Sequence, residues 1–293
     1  MKTVVIVLAL LSLTLPTYAQ VAHGAVREGL TLDSKILGKK VRFTIYLPFD
    51  YETSSRFYPV VYLLHGYTDN DMGWIQFGEA NLIADEAIAK REIPSMILVM
   101  PDGGLSWYIN TYNGSVRYED FFFQEFMPYI ESHYRIRQER SYRGVAGLSM
   151  GGFGTLAYAL RHPDQFAACA ALSAAVYTTE QIVTMEEKGW SSWPTMIYGP
   201  GSGEARLTEH LLSYNPICIV GSGNAERIKS VRIYLDCGDD DYLTIGNAML
   251  HVTLTENKIP HEYRVRDGAH SWSYWRSGLM DALKFIGASF HKP

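Results

Sequence analysis

Cysteine is scarce in this chain: Cys169, Cys218 and Cys237 are the only three in 293 residues, too few for a disulfide framework. Cys169 and Cys237 fall in apolar, strand-like runs and are expected as buried free thiols, while Cys218 lies in a loop-rich segment. No Cys-x-x-Cys pair and no histidine cluster has metal-ligand spacing, so neither a catalytic metal nor a cofactor is expected. A surplus of positive charge is also missing. With 26 basic against 31 acidic residues the net charge is −5, which gives no support for nucleic acid or an anionic membrane surface as partner. Beyond the first twenty residues no apolar run approaches the roughly 18–20 residues that a membrane helix needs. Internal repeats, low-complexity tracts and linkers are absent too, so residues 20–293 read as a single domain.

The first residues have a different character. Lys2 precedes an apolar stretch from Val4 to Leu15, and Thr17-Tyr18-Ala19 supplies small residues suited to cleavage. Residues 1–19 therefore read as an export signal. The mature chain is expected to begin near Gln20 and to work in the periplasm or the medium. No cysteine follows the signal directly, so no lipid anchor is expected there.

Strand-like and helix-like patterns alternate along the rest. Residues 30–36 and 40–47 alternate polar and apolar side chains around Gly38, as in a hairpin. Residues 59–64 and 95–100 are continuous apolar runs, as expected for strands buried on both faces. Helical spacing appears over 81–90, 118–134 and 243–257, and further strands are expected over 166–172, 230–235 and 262–265. This order predicts an α/β fold with a mainly parallel sheet and helices on both faces. Residues 177–229 break the rhythm with Gly, Ser, Pro and Trp, and are expected as an insertion roofing a site at the strand ends.

Gly147-Leu148-Ser149-Met150-Gly151 sits between an apolar run and a small-residue helix that stops at His162-Pro163. G-x-S-x-G in that setting is the nucleophile elbow of α/β-hydrolase folds, a tight turn that presents a serine hydroxyl. A serine needs a base to take its proton and a carboxylate to fix that base, and in this fold acid and histidine follow the serine in that order. Of the later histidines, His210 lies in the insertion, His251 mid-helix, His261 at a strand start and His291 at the tail. Only His270 comes just after a strand, which makes it the candidate base. The acid is expected after the strand ending near Leu235, where Asp236, Asp239, Asp240 and Asp241 are all candidates. The oxyanion amides are expected from Met150, directly after the nucleophile, and from Tyr67 in the loop after Leu64. His65 stands at a strand end ahead of the serine and is expected to support its loop.

Together, Leu63-Leu64-His65-Gly66, Gly147-Leu148-Ser149-Met150-Gly151-Gly152, Cys237-Gly238-x-x-Asp241 and Gly268-Ala269-His270-x-Trp272 resemble the esterase-D-like esterases. That family includes carbohydrate esterase family 1 (feruloyl and acetylxylan esterases), S-formylglutathione hydrolases and mycolyltransferases. The resemblance runs from about Leu30 to Phe290 and implies acyl transfer from an ester to water. It selects Asp241 as the acid. Asp239-Asp240 departs from the family pattern, and 177–229 carries no motif of the family.

Export argues against a cytosolic glutathione thioester as substrate. It favours the ester-decorated polysaccharide of plant cell walls, with feruloyl esters ahead of acetylxylan or other short acyl esters. Trp107, Tyr108 and Trp272 are expected to line the substrate pocket, whereas Tyr274 and Trp275 have the spacing of packing residues. A non-catalytic polysaccharide-binding protein on the same scaffold is the alternative of a different class, and a complete triad argues against it.

Overall fold

The computed structural model describes residues 22–223 and 225–290. The expected export signal therefore lies outside the described residues. Eight strands form one sheet in the order β1-β2-β4-β3-β5-β6-β7-β8: β1 (Ala25–Ser34), β2 (Lys39–Leu47), β3 (Val60–Leu64), β4 (Ile97–Pro101), β5 (Arg143–Leu148), β6 (Ala168–Leu172), β7 (Arg232–Gly238) and β8 (His261–Arg266). β1 pairs antiparallel with β2, and β2 with β4, while β4 through β8 run parallel.

In β3, Val60, Tyr62 and Leu64 enter the core layer on one face and Val61 and Leu63 the layer on the other. Side chains alternate at period two with both faces covered, which is why the run carries no polar residue. One face is covered by Met150–Arg161, Thr244–Glu256 and the helix spanning 118–133, the other by Ala80–Ala89 and Trp272–Gly287.

Two elements differ from the sequence expectation. β1 begins five residues early, because Ala25–Arg27 pair with Ile45–Leu47 across a bulge between Arg27 and Leu30, where Gly29 has φ 69°. The bulge flips the side-chain parity and hides the continuation from an alternation pattern. The 118–133 helix is not α-helical throughout: Phe122–Phe126 is a π-turn between Tyr118–Phe121 and Met127–His133. That wider turn lets Phe121, Phe122 and Phe126 all face inward.

The chain runs from β3 outward to β4, then crosses back to place β5 on the other side of β3. The strand order thus reverses between β3 and β5, and the crevice beyond their carboxyl ends is where such sheets bind ligands. His65-Gly66-Tyr67 leaves one lip of that crevice and Ser149 the other.

Candidate active site

Ser149 directly follows β5, with φ 54° and ψ −118°. Its N–H donates to the Leu172 carbonyl and its own carbonyl accepts from Phe153 and Ala175, so β6 and the next helix hold it in that conformation. The flanking glycines are required by space: a Cβ on Gly147 would meet the Gly151 carbonyl oxygen at 2.3 Å, and one on Gly151 the Leu64 oxygen at 2.2 Å. Among the described residues eight non-glycines have positive φ, and five of them, Thr68, Trp107, Tyr108, Ser149 and Ser173, sit in loops near this rim of the sheet. Strain of this kind persists only where the surroundings over-determine it.

His270, from the loop after β8, brings Nε2 to 2.9 Å from the Ser149 Oγ and Nδ1 to 2.8 Å from Asp241 Oδ2. Assigned from these partners, the Nδ1 proton goes to the carboxylate and Nε2 is free to accept the serine proton. The second Asp241 oxygen accepts the Leu243 amide at 2.9 Å. Burial works to raise the Asp241 carboxyl, but the bonds from His270 and Leu243 outweigh it, and the nearby Ser173 hydroxyl adds to them without a formed hydrogen bond. The group is held below the ordinary carboxylate value and stays ionised.

The four candidate aspartates separate by neighbours. Asp236 is fully buried and is committed to Arg266, Tyr234 and Tyr274. Asp239 is exposed and accepts the Gly268 amide, and Asp240 is exposed on the loop surface. Only Asp241 reaches the imidazole.

Among the described residues, neither the Met150 nor the Tyr67 amide is taken up by an acceptor within the protein, and the two flank the crevice beside Ser149. Their setting suits donors to an oxyanion. His65 is occupied differently. Its Nδ1 lies 2.8 Å from the Gly66 carbonyl, while Nε2 accepts the Gly103 amide at 2.8 Å, so both ring nitrogens serve the backbone.

A cavity of about 510 Å³ opens over Ser149 and His270. Tyr67, Thr68, Asp69 and Phe77 line it together with Tyr242, Ser271, Trp272 and Trp275, and Phe77 packs on Trp272 with ring centroids 5.7 Å apart. Trp272 is among the residues lining the cavity. Trp107 and Tyr108 are not: both are buried, Trp107 stacked on Trp193 at 3.7 Å and Tyr108 donating its hydroxyl to the His65 carbonyl. They brace the crevice from beneath. Trp275, expected to pack, does so and also lines the cavity, with its ring edge-on to His270 at 4.8 Å. Phe77 and Tyr242 were missed, because isolated aromatics in loops carry no spacing signal. The 177–229 region supplies none of the residues lining this cavity. It folds as short helices over Phe153 and Trp107, riveted by the buried Arg206 guanidinium, which donates to the Ile182 carbonyl and to Glu187. Cys169 and Cys237 are buried free thiols pushed up to about 12 by burial, and Cys218 is half-buried in the helix Pro216–Gly221.

Residues 34–286 match the family model described as Putative esterase. An esterase of Mycobacterium tuberculosis is 31% identical over 77% of this chain and 51% of its own length, so the chain spans about half of that relative. The endo-1,4-beta-xylanase/feruloyl esterase of Xylanibacter ruminicola is 33% identical over 55% of this chain and 23% of its own length. Among solved structures, a ferulic acid esterase superposes with a TM-score of 0.80 at 32% identity, covering 92% of this chain and 99% of that one. The fold is that of the α/β hydrolases.

Proposed function

Because this chain belongs to the Putative esterase family, we propose that it is a serine carboxylic-ester hydrolase working through an acyl-enzyme on Ser149. The observation that carries this reading is the unbroken line from Asp241 through His270 to Ser149, with hydrogen bonds of 2.8 and 2.9 Å. Ser149 Oγ attacks the ester carbonyl while His270 Nε2 takes its proton, and Asp241 steadies the imidazolium through Nδ1–H. The Met150 and Tyr67 amides receive the negative oxygen of the tetrahedral intermediate. Collapse expels the alcohol, which takes the proton from His270, and water then repeats the sequence on the acyl-serine.

The substrate we propose is a feruloyl ester of plant cell-wall polysaccharide, ahead of an acetyl ester. The aromatic walls of the cavity favour it, as do the feruloyl esterase named among the relatives and the ferulic acid esterase among the solved structures. Export of the mature chain from Gln20 belongs to the same reading and rests on residues 1–19 alone. N-terminal sequencing of protein recovered from outside the cytoplasm tests it; a chain still starting at Met1 there counts against cleavage.

A serine-directed fluorophosphonate should label the protein at Ser149, located by mass spectrometry of the peptide. Parallel hydrolysis of methyl ferulate, acetylated xylan and short p-nitrophenyl esters then ranks the acyl groups. No labelling and no turnover would overturn the reading, and acetylated xylan turned over faster than methyl ferulate would reverse the acyl preference.

A further inference from the structure

The cavity contains one ionisable carboxylate that the mechanism leaves idle. Asp69 lies in the loop after β3 and lines the cavity beside Tyr67 and Thr68. Backbone holds it there. Its Oδ1 accepts the Asn70 amide at 3.0 Å, and the carboxylate rests against Gly73, where a Cβ would come within 2.5 Å of it. Thr68, immediately before it, is β-branched yet has φ 66°, a conformation that such residues avoid. Two residues on, Asp71 is buried and accepts the Thr44 hydroxyl at 2.8 Å, with Arg42 alongside. The loop thus spends one aspartate on its own anchoring and sets the other at the cavity. Among the described residues no basic side chain pairs with Asp69, and no protein donor reaches its Oδ2.

An ionised carboxylate only accepts hydrogen bonds. Placed in a partly desolvated cavity, it rewards a neutral group carrying a hydroxyl and penalises a second negative charge. We propose that Asp69 selects the substrate of this site, accepting a hydrogen bond from a hydroxyl of a neutral ester and excluding anionic esters and thioesters. The proposal rests on the ester-hydrolase reading above. The hydroxyl has two possible sources with one chemistry, a sugar hydroxyl of the leaving alcohol or a phenol hydroxyl of the acyl group.

The test measures kcat/KM on the full chain for two matched pairs, with S-acetylglutathione as the anionic thioester. One pair is methyl ferulate against methyl 3-methoxycinnamate, which differ by the phenol hydroxyl. The other is an acetylated xylo-oligosaccharide against ethyl acetate. In Asp69→Ala the preference for the hydroxylated member of one pair should fall about tenfold, the usual scale for a hydrogen bond to a charged group, and the affected pair identifies the source. Asp69→Asn keeps an acceptor oxygen and the loop bond, so its loss should be smaller. In both variants turnover of S-acetylglutathione relative to ethyl acetate should rise. Unchanged ratios, or a uniform fall on every substrate, would overturn the role of Asp69. Ser149→Ala separates the two readings. If it retains wild-type turnover the hydrolase reading itself fails, whereas Ser149-dependent activity with unmoved ratios fails only the selectivity proposal.

Discussion

Two histidines flank the crevice between β3 and β5, each with an aspartate near it, and they are put to opposite uses. At His65, both ring nitrogens are spent on backbone partners, the Gly66 carbonyl and the Gly103 amide, and Asp102 stands 3.6 Å from Nε2, outside hydrogen-bond reach. At His270, one nitrogen is spent on Asp241 and the other faces a hydroxyl. Exposure follows the same division, 1% for the His65 side chain against 17% for His270. A histidine beside a carboxylate is therefore not yet a base. The second nitrogen decides, according to whether the backbone or a reactive group claims it.

The sharpest way to break this contrast is to remove each ring. His270→Ala should lower kcat by on the order of 10⁶. His65→Gln should cost at most about a hundredfold, through misplacement of the loop that carries the Tyr67 amide. Steady-state kinetics on p-nitrophenyl acetate compares them, and equal losses would erase the distinction. Next in size, Asp241→Asn should cost about 10⁴ by favouring the wrong imidazole tautomer, while Asp240→Asn stays within a few-fold because its side chain is exposed. Losses of similar size would mean that the wrong carboxylate has been identified.

A third histidine–carboxylate pair extends the comparison to stability. Glu119 accepts from His162, Arg161 and Tyr214 on the helix-covered side, away from the cavity. Burial alone would raise its carboxyl, but His162 and Arg161 outweigh this and bring it to about 2, from an ordinary value of 4.5. Because the folded value lies below the unfolded one, the stabilisation is complete above pH 4.5 and is lost as pH falls toward 2. Glu119→Gln should cost about 3 kcal/mol at pH 7, the linkage contribution of a carboxyl lowered from 4.5 to about 2. The gap from wild type, followed by urea denaturation, should close between roughly pH 5 and pH 2. A gap independent of pH would mean that the carboxylate is not held as described. Smallest, Tyr108→Phe removes the hydroxyl that supports the His65 carbonyl and should cost about 1 kcal/mol. A rise in KM larger than the stability loss would place Tyr108 nearer the substrate than the cavity walls do.

How far these sites could be read in the residues depends on the signal each one leaves. Ser149 announces itself because a strained turn admits only small neighbours, and those neighbours are glycines. His270 is found by its position after a strand, since His210, His251 and His261 belong to other elements and His291 lies outside the described residues. Asp241 could not be chosen among four aspartates by spacing, because a loop has no period; the family resemblance selected it, and the structure shows the other three committed or exposed. Trp107 and Tyr108 are expected at the pocket as aromatics suited to stack on a substrate ring. Their burial depends on Trp193, Phe153 and Gly154 arriving from distant parts of the chain. The 177–229 helices pack on Trp107 and Phe153 through Trp193 and Tyr198, contacts between distant parts of the chain that leave no local pattern. The tautomer of His65 was equally hidden, since both of its partners are main-chain atoms.

The loops after β7 and β8 are bonded to each other. The Asp239 amide donates to the Arg266 carbonyl, the Asp240 amide to the Gly268 carbonyl, and the Gly268 amide to the Asp239 side chain. Imidazole and carboxylate therefore ride on one clasped unit, whereas the nucleophile belongs to the rigid centre of the sheet. Any displacement of that clasp would carry ring and carboxylate together, keeping the acid–base couple whole while only its distance to the hydroxyl changes.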